Sequence, residues 1–275
     1  MRRAVGAFMQ DENGEAASGT WREGKYVRWQ DVFLPVQAML TWLGLLLLAM
    51  TIALAAKDVL GTSKGEIARL YSDLTTNGTA TQLFTASFDI VAIFYVWRVA
   101  RRVAKDALVA RFGAIRWGVF LMALAGGVCL ALLTMYMTSL LAAHSLVQFH
   151  VTKAERELVP HSPSGLPLGL LCGALIVPFA EEFYFRGVLL SWLSRKMAAP
   201  LAILASAAVF ALLHMRLVTH PGLEGWVITA TIAFVGAVAA TLATLTRSLW
   251  GPFAIHAGYN ATLFGVAALY PVLFG

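Results

Sequence analysis

VPFAEEFYFRGVLL, residues 177–190, sets two adjacent carboxylates, Glu181 and Glu182, and a guanidinium, Arg186, inside an apolar run that begins near Leu166. A charge at membrane depth costs at least ~2.5–3.5 kcal/mol on the insertion scale, so three within six positions need both compensation and a purpose. On a helix, Glu182 and Arg186 are four apart and meet on one face, where they neutralise each other. Glu181 is rotated by roughly 100° and has no such partner on its own helix. One carboxylate is expected to be paired and the other available.

The surroundings of this stretch fix the solvent it lives in. Of the 275 residues 59% are hydrophobic and only 13% charged, with mean hydropathy +0.72. Soluble domains carry nearer ~25% charge, so the composition excludes that class. The net charge of +6 then belongs to loops and to anionic lipid rather than to nucleic acid. Cys129 and Cys172 both fall in apolar runs and read as small core residues, not a disulfide or metal pair.

A spanning helix takes about 20 apolar residues. Seven stretches qualify: 35–56, 83–99, 117–143, 166–193, 200–217, 226–245 and 250–274. A break near Gly265 would raise the number of elements to eight. The expected fold is therefore all-α, a polytopic transmembrane helical bundle of about seven to eight membrane helices. It divides into a polar cytoplasmic tail (1–34), a three-span region (35–143), a linker (144–165) and a core (166–275). No cleavable signal peptide is evident, and Tyr26, Trp29 and Phe33 suit a short interfacial helix before the first span. Pro178 is expected to kink the fourth span one turn before the glutamates. Arginine and lysine cluster in the tail, at 98–116, at Arg195–Lys196 and at Arg247, which places the amino terminus in the cytoplasm. An integral protein of the bacterial inner (plasma) membrane is expected.

Two further spans carry polar residues on one face. Phe210 and His214 are four apart on the fifth; His256 and Asn260 are four apart on the seventh. A convergent carboxylate and imidazole can take a proton from water, and an imidazole beside an amide offers two donors to one point. That set suits acyl hydrolysis. Each element also has a plain structural reading: an ion pair locking its helix, an interhelical histidine, a polar tie between helices. Phe210 reads as packing in either case. Asp89 and Arg247–Ser248 look structural, His144, His150 and His161 read as solvated linker residues, and His220–Pro221 as a loop turn.

E-E-x-x-x-R at 181–186, F-x-x-x-H at 210–214 and H-x-x-x-N at 256–260, in that order within apolar helices, resemble the CAAX protease and bacteriocin-processing (CPBP, or ABI) family of intramembrane endopeptidases. The resemblance covers about residues 166–265. It implies that Glu181, with His214, activates the attacking water, that His256 and Asn260 hold the oxyanion, and that Glu182 and Arg186 support the site. It implies a protein or peptide substrate at the membrane and, on the reading favoured here, no cofactor. The alternative is zinc at Glu181, His214 and His256, although no HExxH pair is present. Two other classes compete: a transporter or proton relay using the same buried groups, and a non-proteolytic membrane regulator.

Overall fold

The computed structural model describes residues 29–60, 65, 69, 78–103, 112–150 and 166–274. The expectations for the tail before residue 29 and for His161 lie outside the described residues. After a single 3-10 turn, Trp29–Phe33, the chain forms α1 (Leu34–Leu60), α2 (Gly78–Val103), α3 (Trp117–Ala143), α4 (Leu166–Leu193), α5 (Ala199–Leu213), α6 (Arg216–Thr219), α7 (Leu223–Thr246) and α8 (Trp250–Phe274). The structure is an all-α helical membrane bundle. Among the described residues five segments, Trp29–Ala49, Trp117–Ala143, Leu166–Leu193, Ala199–Thr219 and Leu223–Thr246, are long and apolar enough to cross a membrane.

The apolar residues point outward as well as inward. Leu47, Met122, Leu204, Trp226 and Phe234 are all exposed, as a lipid-facing surface requires. Inside, α4 is the axis. Phe183, Tyr184, Phe185, Val188 and Leu189 are buried with Val96 and Val99 of α2, Phe210 of α5 and Ala240 of α7. The Tyr184 hydroxyl donates to the Val32 carbonyl at 2.7 Å, so the 3-10 turn at 29–33 docks on the same helix.

Helix ends follow local chemistry. Pro200 opens α5 in the first turn, where its missing N–H removes nothing the helix needs. Gly222, at φ +77°, precedes α7, and Arg247 closes it in the left-handed conformation with its N–H on the Ala243 carbonyl. The expected fifth span, 200–217, is interrupted: α5 stops at Leu213, His214 is its cap, and Met215 is left-handed at φ +56° before α6 begins. Gly265, by contrast, lies within continuous helix, so the eighth element is the short α6.

α3 and α8 cross closely. A Cβ on Gly127 would collide with the Ile255 carbonyl, and one on Gly258 with the Leu124 carbonyl. Without a hydrophobic drive between helices in lipid, such close backbone approach is what holds them. Gly127→Ala is expected to lower stability in detergent by ~1–3 kcal/mol through overpacking. Gly118→Ala, where nothing lies within 4 Å of the added carbon, is the control and leaves thermal melting unchanged.

Candidate active site

α4 is not a uniform α-helix. Its turns at Leu170–Ile176 and Phe183–Leu189 are π-helical, and the α-helical turn Val177–Glu182 carries both glutamates between them. Pro178 explains the first: it has no N–H for the carbonyl one turn back, and its ring crowds that carbonyl. The relief is a widened turn.

Glu182 and Arg186 are sealed, at 0% and 1% exposure. The guanidinium donates through Nη1 to Glu182 Oε1 at 2.9 Å and through Nη2 to the Gly236 carbonyl of α7 at 3.1 Å. Its central carbon lies 4.5 Å from the centroid of the Phe210 ring. The pairing expected from four-residue spacing is thus present. Its acceptor also serves α8: His256 Nδ1 lies 2.8 Å from the same Glu182 Oε1 and carries the hydrogen between them.

The other edge of that imidazole faces Glu181, with Nε2 to Oε2 at 3.7 Å. Glu181 keeps 26% of its side chain exposed. His256 therefore stands between the two carboxylates, fixed by one and turned toward the other. A histidine held by a carboxylate on one nitrogen has its tautomer and ring plane set.

His214, the cap of α5, hydrogen-bonds the Phe210 carbonyl through Nδ1 at 2.8 Å. A carbonyl only accepts, so Nδ1 bears the hydrogen and Nε2 is left with a lone pair. Among the described residues His214 has no hydrogen bond or ion pair to Glu181. Phe210 joins the three groups: its ring lies 4.7 Å from that of His214 and 5.8 Å from that of His256, edge to face. Asn260 donates through Nδ2 to the Gly173 carbonyl at 2.8 Å, inside the first π turn of α4. One amide hydrogen is committed there and the second is not. All six sequence-derived residues thus fall on α4, α8 and the end of α5, with Glu181, His256, Glu182 and Arg186 linked in that order.

Sequence reasoning missed two contributors to the site and a separate polar cluster away from it. Gly236 and Gly173 supply the carbonyls that Arg186 and Asn260 bind; their only signal was a glycine inside a span. Glu224, at the start of α7, takes both the backbone N–H and the side chain of His150, the latter at 3.1 Å. His220 donates through Nε2 to the His150 carbonyl at 3.0 Å and is buried. His220 is therefore more than a loop turn, and His150, though exposed, is anchored rather than free. Cys172 is buried as expected, but Cys129 is exposed on α3 because its face turns away from α8; both are free thiols.

Among the described residues no three His, Cys, Asp or Glu side chains gather closely enough to hold a metal ion. The suggested donors Glu181, His214 and His256 are split between an ion pair and a backbone bond.

Residues 163–262 match the sequence model of the Rce1-like family, described as type II CAAX prenyl endopeptidases. No curated protein and no solved structure gives a significant match to the chain.

Proposed function

We propose, from a chain whose residues 163–262 match the Rce1-like family of type II CAAX prenyl endopeptidases, that it cleaves a peptide bond of a membrane-associated protein or peptide by a glutamate-activated water. The observation that supports this most is the His256 imidazole, held by Glu182 at 2.8 Å and turned toward the partly exposed Glu181 at 3.7 Å. A structural ion pair needs only Glu182 and Arg186. A second carboxylate, left without a hydrogen bond beside an oriented imidazole, is what a proton-transfer site needs.

In the proposed reaction Glu181 takes a proton from water as the hydroxide adds to the scissile carbonyl carbon. The lone pair on His214 Nε2 orients that water. Two donors meet the oxyanion: the uncommitted amide hydrogen of Asn260, and His256 Nε2 in its protonated form, balanced by Glu182. The proton held by Glu181 then passes to the leaving nitrogen as the C–N bond breaks. Arg186 holds Glu182 in place, and Phe210 separates the two imidazoles.

We further propose that the amino terminus lies in the cytoplasm of a bacterial inner membrane, with anionic lipid against the basic loops. Residues 166–275 form the peptidase core in this reading, and the three preceding helices flank it.

Cleavage is expected to survive metal removal. The protein is purified in detergent, treated with a strong chelator, checked for depletion by elemental analysis and assayed on a membrane-derived peptide. Activity that disappears and returns with stoichiometric zinc, but not with calcium or magnesium, would replace this mechanism by a zinc-dependent one at Glu181, His214 and His256.

A further inference from the structure

The polar cluster at the start of α7 reaches toward the candidate site along α6. Glu224 receives the backbone N–H of His150 at Oε1 and its ring Nδ1–H at Oε2. His220 Nε2 donates to the His150 carbonyl, which leaves its Nδ1, 3.0 Å from the Thr219 hydroxyl, as an acceptor. That hydroxyl also lies 3.3 Å from the Met215 carbonyl, which takes the N–H groups of Val218 and Thr219 at 3.0 and 3.1 Å. The bonds run without a break from residue 150 to the residue that follows His214.

Met215 is where that hold matters. At φ +56° it is left-handed, a strained state for a residue with a long side chain, and such strain persists only where the surroundings fix it. On one side stands α5: the N–H of Met215 lies on the Leu212 carbonyl at 3.0 Å and that of His214 on the Ala211 carbonyl at 3.2 Å. On the other side is α6, a four-residue turn too short to be stable by itself. It leans on α7, where a Cβ on Gly225 would collide with the His220 carbonyl and come within 3.0 Å of that of Arg216. His150 and Glu224 close the far end.

We infer that His150 and Glu224 are positioning residues for His214. Their bonds lock α6, α6 locks the Met215 turn, and that turn sets the end of α5 from which the His214 imidazole is presented. His150 precedes residues 163–262, so part of what holds the site comes from outside the stretch that matches the family. The catalytic consequence rests on the peptidase reading; the fastening itself does not.

Two measurements on the full-length protein in detergent test this. The first is amide hydrogen exchange for wild type, His150→Ala, Glu224→Ala and Glu224→Gln. In Glu224→Ala the amides of residues 215–220 are expected to exchange about tenfold faster or more, while those at 124–130, in the seam of α3 and α8, stay as they were. His150→Ala keeps the backbone bonds and gives a smaller change in the same place. Glu224→Gln restores protection, because its amide keeps an acceptor for the backbone N–H and offers a hydrogen to the ring in its other tautomer. The second is the peptide assay. Glu224→Ala is expected to lower kcat about tenfold or more with KM little changed, Glu224→Gln to recover it, and Glu224→Ala to cost nothing further in a His214→Ala background. A loss that multiplies with that of His214→Ala overturns the proposal, because the cluster then acts elsewhere; so does a rise in KM at constant kcat. Exchange at 215–220 that Glu224→Ala leaves unchanged overturns it as well. If Glu224→Ala does not fold, His150→Ala, whose side chain is 71% exposed, carries both measurements. A wild-type protein that cleaves no peptide refutes the peptidase reading, and the exchange rates still decide the fastening.

Discussion

Glu181→Gln is expected to lower kcat for peptide cleavage by about 10²–10⁴-fold, the usual worth of a positioned general base, with little change in KM. The melting temperature in detergent is expected to stay where it was. Both halves follow from the same geometry. The side chain is a quarter exposed, makes no hydrogen bond among the described residues, and touches the rest of the site only through His256 Nε2. An amide of the same shape keeps the packing and removes the proton acceptor. A Glu181→Gln protein that retains wild-type turnover would remove this residue from the mechanism, and with it the proposed reaction.

Glu182→Gln is expected to act in the opposite sense, on stability first. Its Oε1 receives both Arg186 Nη1 and His256 Nδ1, and all three groups lie in the interior. Neutralising it strands a buried guanidinium, at a cost of ~3–5 kcal/mol. The protein should accumulate poorly and melt early. Replacing the pair together, Glu182→Leu with Arg186→Met, is expected to recover much of the stability, since an apolar pair of similar volume avoids the desolvation penalty. It will not recover activity, because His256 loses the carboxylate that orients it. Equal melting of Glu181→Gln and Glu182→Gln would show that the two carboxylates do not divide the work in this way.

Five of the seven expected spans were legible in the sequence as long apolar runs, although the fifth breaks after Leu213. The Glu182–Arg186 bond was legible for a similar reason: a four-residue spacing describes a contact inside one helix. What the sequence did not carry is every contact made between helices. No local pattern says that His256 reaches back seventy-odd positions to straddle both glutamates, since that depends on how α8 is rotated against α4. The end of α5 at His214 was hidden as well, because Met215 adopts a left-handed conformation that its side chain does not advertise. The spacing of Glu224 from His150 is equally silent.

The crossing of α3 on α8, together with the His150–Glu224–His220 contacts, changes what the covalent chain between 150 and 166 has to do. Sequence order suggests two modules on a tether, the tether holding them together. The structure puts the joint elsewhere: a glycine-lined seam runs along α3 and α8, and a polar clasp fastens the end of the first module to the start of α7. The helices before residue 150 are bolted to those after 166 by a helix of their own, α3, and by the polar clasp at His150.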